Sequence, residues 1–188
     1  MRQPGWYRHQ VISVYIRKWN EMAERQMNFQ SGWRAMILAG VMAGIISTLV
    51  QILLWLAFTD DFPAILYRDA RLTAAIVLGG SVLPPPATFD AGVMLAATLI
   101  HFTLSIAYAA VLASSAGRLD LFPALLAGVG FGAALYMFNL YGFTAIFPWF
   151  AQTRGWITLV AHAAFGLTAI SVYRWLSPTV PIRIKSMS

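Results

Sequence analysis

The sequence predicts an all-α membrane protein: four transmembrane helices, an amphipathic N-terminal helix, and a short interfacial helix in the first outer loop. Three observations carry this reading. Of the 188 residues, 59% are apolar or aromatic and 11% are charged, against about 45–50% and about 25% in ordinary soluble domains. Too few charges remain to cover a soluble globule. Four stretches also reach the roughly 20 apolar residues needed to cross a bilayer. Finally, the 13 Lys and Arg outnumber the 7 Asp and Glu, giving +6, and they are spread unevenly between the loops. In so apolar a chain that excess is a topology signal and gives no reason to expect a nucleic-acid partner. The absence of cysteine excludes disulfides, thiolate metal sites and a thiol nucleophile.

The spans follow in order. Residues 35–58 are interrupted only by Ser47, Thr48 and Gln51. Residues 91–114 hold His101 as their one strongly polar interior residue. Residues 121–147 are long enough to tilt or unwind at the outer end, and residues 156–176 complete the set. Between the first two spans, residues 61–83 contain an apolar run, Leu72–Leu78, beside Arg68, Asp69 and Arg71. This segment is too short and too charged to cross, so it reads as a helix lying on one face, ended by Gly79–Gly80 and Pro84–Pro85–Pro86.

Ten basic residues flank one side (Arg2, Arg8, Arg17, Lys18, Arg25, Arg34, Arg118, Arg174, Arg183, Lys185) and three the other (Arg68, Arg71, Arg154). That imbalance predicts cytoplasmic termini. Residues 1–33 lack the apolar core and small-residue cleavage site of a signal peptide. Ile12, Tyr15, Ile16, Trp19, Met22 and Ala23 recur at helical spacing opposite Arg17, Lys18, Glu21, Glu24 and Arg25, the pattern of a helix under the inner leaflet. Residues 177–188 form a cytoplasmic tail.

Gly40 and Gly44 form one GxxxG motif and Gly128 and Gly132 a second. Lipid tails are as apolar as leucine, so helices associate where small residues let their backbones approach; packing within one chain is the expected use. Trp33, Trp55, Trp149, Trp156 and Trp175 fall near span ends, as an aromatic belt does.

Each span also holds one strongly polar residue: Gln51, His101, Asn139 and His162. Counted from the span ends, all lie about 9–15 Å below the outer surface. Groups at that depth need partners or water and face the bundle interior. Such a layer can be a neutral network that fixes helix register, or a proton-responsive or solute-binding site open to the outside. A third reading is haem b between His101 and His162, with Arg68, Arg71 or Arg154 meeting its propionates. For a protein-held metal ion, the spans offer no third histidine and no carboxylate. No phosphate loop, catalytic triad or paired intramembrane carboxylates are present, so no enzyme is expected.

The runs Ala43–Gln51, Pro63–Asp69, His101–Ile106, Leu125–Gly128, Phe138–Phe143, Pro148–Trp149 and Ala161–His162 resemble, in order and spacing, the YagU-like family of small bacterial inner-membrane proteins. The similarity covers about Gly40 to Leu176. It implies a compact four-span protein of the bacterial inner membrane, of unassigned activity, with a suggested tie to acid tolerance and with histidine at positions 101 and 162. Gln51 and Asn139 depart from the family pattern, which implies Lys and His at those places. The leading functional expectation is a non-enzymatic accessory or scaffold subunit without a cofactor, packed in the bilayer against copies of itself or a larger complex. The alternatives are a small proton- or solute-linked transporter using the His/Asn/Gln layer and a b-type haem subunit.

Overall fold

In the computed structural model, which describes residues 5–177, the chain forms five α-helices and contains no strand among the described residues. Helix α1 runs from Gly5 to Phe58, α2 from Ala64 to Leu78, α3 from Ala91 to Ala116, α4 from Leu121 to Met137, and α5 from Trp156 to Leu176. Four segments are long and apolar enough to cross a membrane: Gly32–Phe58, Ala91–Ala116, Leu121–Ala145 and Trp156–Leu176. They match the predicted spans to within a few residues. Of the predicted tail, only Ser177 is described, and residues 1–4 of the predicted N-terminal helix also lie outside the described residues.

The N-terminal helix is not a separate element. No proline occurs between Gly5 and Phe58, and the helix continues through Gly32 into the span, giving one helix of 54 residues. Gly32 by itself lowers helix propensity by only about 1 kcal/mol, too little to force a break.

Helix α5 lies between α1 and α4, while α3 packs on α1 and touches α5. Small residues set these distances. A methyl group added at Gly40 would fall 2.5 Å from the Cα of Ile106 on α3. On the other pair, one at Gly128 would fall 2.7 Å from the Gly166 carbonyl oxygen, and one at Gly132 would overlap the His162 carbonyl. Both GxxxG motifs are therefore used inside the chain. Around these seams, Ala39, Ala43, Ala109, Leu112, Ala116, Ala124, Ala169 and Ile170 form a close-packed core. At that end Arg174 donates to the Gly117 and Leu119 carbonyls, tying the α3–α4 turn to α5.

The opposite end is built differently. The third span leaves α geometry at Phe138: residues Phe138–Gly142 form a π-turn and Phe143–Ala145 a 3₁₀ turn. The Arg154 guanidinium explains why the ladder can change there. Its Nε donates to the Leu140 carbonyl at 2.8 Å, and its plane lies 4.2 Å over the Tyr141 ring. Helix α2 is shorter than predicted, starting after Pro63 and stopping at Gly79, whose φ of +81° suits glycine alone. It docks on the bundle: Ala70 and Ala74 pack against Val93 and Ala97 of α3. The Trp149 indole N–H donates to the Leu72 carbonyl at 2.9 Å.

These seams make a stability prediction. Gly132→Val, which drives a side chain into the α5 backbone, is expected to destabilise the purified protein by about 1–3 kcal/mol. Gly130→Ala, with no atom within 4 Å of the new methyl, is expected to leave thermal unfolding unchanged or slightly improved. Equal effects of the two would contradict the placement of the seam.

Candidate functional site

The chemistry gathers beyond the α1–α3 seam, at a level where α4 and α5 still meet through Gly132 and the His162 backbone. Contact between α1 and α3 loosens within one turn. At Gly40 the neighbour is backbone, whereas at Gly44 a methyl would meet only side chains: Ser105 Oγ at 3.0 Å, His101 Nε2 at 3.1 Å and Phe102 Cε1 at 3.2 Å. Beyond this point the bundle surrounds a half-open cavity of about 490 Å³, within the range of about 300–1,000 Å³ common for ligand sites. Helix α2 and the turn Pro148–Thr153 help to wall it.

All four residues of the predicted polar layer line this cavity. Their hydrogen bonds form two groups. The Tyr108 hydroxyl donates to Asn139 Oδ1 at 2.9 Å, and the Asn139 amide stands 3.4 Å from His162 Nε2. His162 Nδ1 lies 2.8 Å from the Thr158 carbonyl, which can only accept. That contact assigns the proton to Nδ1 and leaves Nε2 to accept from Asn139. Every donor in the chain Tyr108–Asn139–His162–Thr158 thus has a defined direction. The Tyr136 ring stands edge-on to His162, centroids 5.8 Å apart, and its hydroxyl accepts from the Gly155 N–H at 3.1 Å.

The second group is centred on His101. Its Nε2 lies 3.3 Å from both the Gly44 carbonyl and the Thr48 hydroxyl, and the carbonyl assigns the ring proton to Nε2. Ser47 donates to the same carbonyl at 3.1 Å. The two histidines therefore belong to separate networks on one cavity wall. Gln51 lines the cavity with no hydrogen bond to a described residue.

Two cavity residues lie outside the predicted polar layer. Asp69, one of the charges that mark residues 61–83 as a segment that does not cross, lines the cavity from α2. Arg68 donates to its Oδ1 through Nε at 2.8 Å and NH2 at 2.7 Å. Burial pushes the Asp69 carboxyl above the usual carboxylate range, and the adjacent guanidinium opposes this only in part. A clue existed in the sequence: Leu66, Asp69, Ala70, Thr73 and Ile76 share one helical face and all line the cavity. Trp55 was assigned to the aromatic belt, but it is 5% exposed and forms cavity wall. Trp33, Trp156 and Trp175 are exposed at the surface.

The geometry gives little support to a haem between the two imidazoles. Both Nε2 atoms are engaged, His162 with Asn139 and His101 with Gly44 and Thr48. The three arginines are engaged too: Arg68 with Asp69, Arg71 with the Val82 and Thr88 carbonyls, and Arg154 with Leu140. Among the described residues no group of three or more His, Asp or Glu converges as metal ligands.

Two measurements follow. Nitrogen-15 NMR of histidine-labelled protein is expected to report the Nδ1–H tautomer for His162 and the Nε2–H tautomer for His101, and the reverse assignment would contradict the networks. Asp69 binds its proton more tightly in the fold than in the unfolded chain. Its contribution to stability is therefore greatest below the ordinary carboxylate range and is lost as pH rises through the raised value. Asp69→Asn is accordingly expected to raise the melting temperature relative to the parent at pH 7–8, by an amount that shrinks toward pH 4. A difference independent of pH would contradict this.

Comparison of the chain with protein-family models, with curated proteins and with solved structures finds no match.

Proposed function

We propose that this protein binds a small solute inside the membrane, as a small proton- or solute-linked transporter or carrier. The observation that carries the reading is the gathering of Gln51, His101, Asn139 and His162, with Asp69 and Tyr108, around one cavity of about 490 Å³. A purely structural polar layer needs only mutual hydrogen bonds. Here Gln51 has no described partner, and side-chain groups are left facing open volume. Polar groups at membrane depth facing a cavity are the usual mark of a solute or proton path. The directed chain from Tyr108 to His162 would orient a solute and relay changes in hydrogen bonding across α3, α4 and α5. No step here needs an enzyme's chemistry.

The reading places the protein in a bacterial inner membrane with both termini cytoplasmic, because ten basic residues lie on one side and three on the other. Membership of the YagU-like family belongs to the same proposal and rests on the ordered motifs around His101 and His162. One observation favours the second reading, an accessory or scaffold subunit. Helix α1 continues for 27 residues before Gly32, about 40 Å of helix, with Trp19 and Met22 exposed. Such a helix is suited to docking a partner or a second copy of the chain.

Native mass spectrometry of gently purified protein separates the two readings. A co-purifying small molecule, present in the parent and lost in both His101→Ala and Thr73→Phe, is the expected result; the second variant adds an apolar ring to the cavity wall from α2. A bare parent chain that carries a stoichiometric protein partner would overturn the proposal in favour of the accessory subunit. A visible spectrum of the same sample with reduced α and β bands would favour haem.

A further inference from the structure

We infer that the cavity takes a long-chain amphiphile whose head group donates hydrogen bonds, a hydroxyl or an ammonium, and that this ligand enters sideways from the bilayer between α1 and α3. The inference rests on the solute-binding reading and specifies both the ligand class and its route.

The route follows from how the two helices part. They touch backbone to backbone at Gly40 and only through side chains at Gly44. Within the next five residues, Ile45 and Leu49 line the cavity while remaining 39% and 50% exposed. Across from them Thr98 of α3 is likewise both cavity-lining and exposed. Helix α2 packs on α3 and scarcely touches α1. Residues that face the cavity and the lipid at once, at span depth, form the rim of a lateral opening. An apolar tail passing such a rim never leaves hydrocarbon, so entry carries no hydration penalty.

The head group follows from the unused hydrogen-bonding capacity. Asp69 receives both Arg68 bonds on Oδ1, leaving Oδ2 without a described partner. His101, with its proton on Nε2, leaves Nδ1 as an acceptor. Gln51 adds an unpaired amide. No buried side-chain nitrogen or oxygen among the described residues lacks a partner, so these spare atoms lie where a ligand or water reaches them. They are mainly acceptors, and neither Lys nor Arg lines the cavity. A donor head completes them, whereas a carboxylate head would bring like charge to Asp69 with no cation to receive it.

The test uses full-length protein in nanodiscs of unbrominated phosphatidylcholine, with Trp55 as reporter, its signal taken as the difference between the parent and Trp55→Phe. The probes are 12-bromododecanol, 12-bromododecylamine and 12-bromododecanoate, whose bromine quenches tryptophan on contact. The expected result is saturable quenching of Trp55 by the alcohol and the amine, about tenfold tighter than by the carboxylate, the scale of one hydrogen bond to a charged acceptor. Gln51→Leu and Asp69→Asn are each expected to weaken alcohol binding severalfold. Leu49→Phe at the rim is expected to slow association more than it changes the equilibrium. Saturable quenching that favours the carboxylate, or that ignores both head-group variants, overturns the inference while the solute-binding reading stands. Unsaturable quenching by every probe, together with no bound mass in the native spectrum, overturns both. Unchanged association in Leu49→Phe overturns the lateral route.

Discussion

The fold depends on backbone contact between small residues at one end of the bundle. At Gly40 against Ile106, and at Gly128 and Gly132 against α5, the approach is closer than any side chain would permit. In a bilayer no hydrophobic force draws apolar helices together, so such contacts, with their dispersion energy, decide which faces meet. The alanine core beside them, from Ala39 to Ala169, extends the same solution. Beyond Gly40, α1 and α3 meet through side chains instead of backbone, and the cavity lies there.

Polar residues occupy the place where the helices part because only there can they be satisfied. His101 fills the fork beyond Gly44 and bonds to its carbonyl. Asn139 stands in the π-turn, where the altered backbone turns its amide between Tyr108 and His162. Insertion of π-turns is common at functional sites, and here Arg154 takes up the Leu140 carbonyl. The arginines at this end thus hold the frame of the site: Arg71 fixes the segment after α2, Arg154 fixes the end of the third span, and Arg68 holds Asp69.

Much of this was legible in the sequence. Span number and limits follow from apolar length, and the shared depth of Gln51, His101, Asn139 and His162 follows from counting along regular helices, which the cavity lining matches. What escaped depended on tertiary packing. Asp69 and Trp55 belong to the cavity only because α2 docks on α3 and α1 turns its Trp55 face inward; charge and position alone marked them as surface residues. The continuity of α1 escaped because a change from amphipathic to apolar pattern suggested a boundary that the backbone does not have. The hydrogen-bond directions needed coordinates.

Close packing along the seams leaves open volume among the polar residues, and that volume is testable by labelling. The chain has no cysteine, so single cysteines report position directly. Alkylation of Gln51→Cys and Thr73→Cys by a water-soluble methanethiosulfonate reagent should proceed much faster than that of Ala43→Cys and Ala109→Cys, which lie in the seams. Equal protection at all four positions would mean that the bundle is closed throughout and would contradict the account.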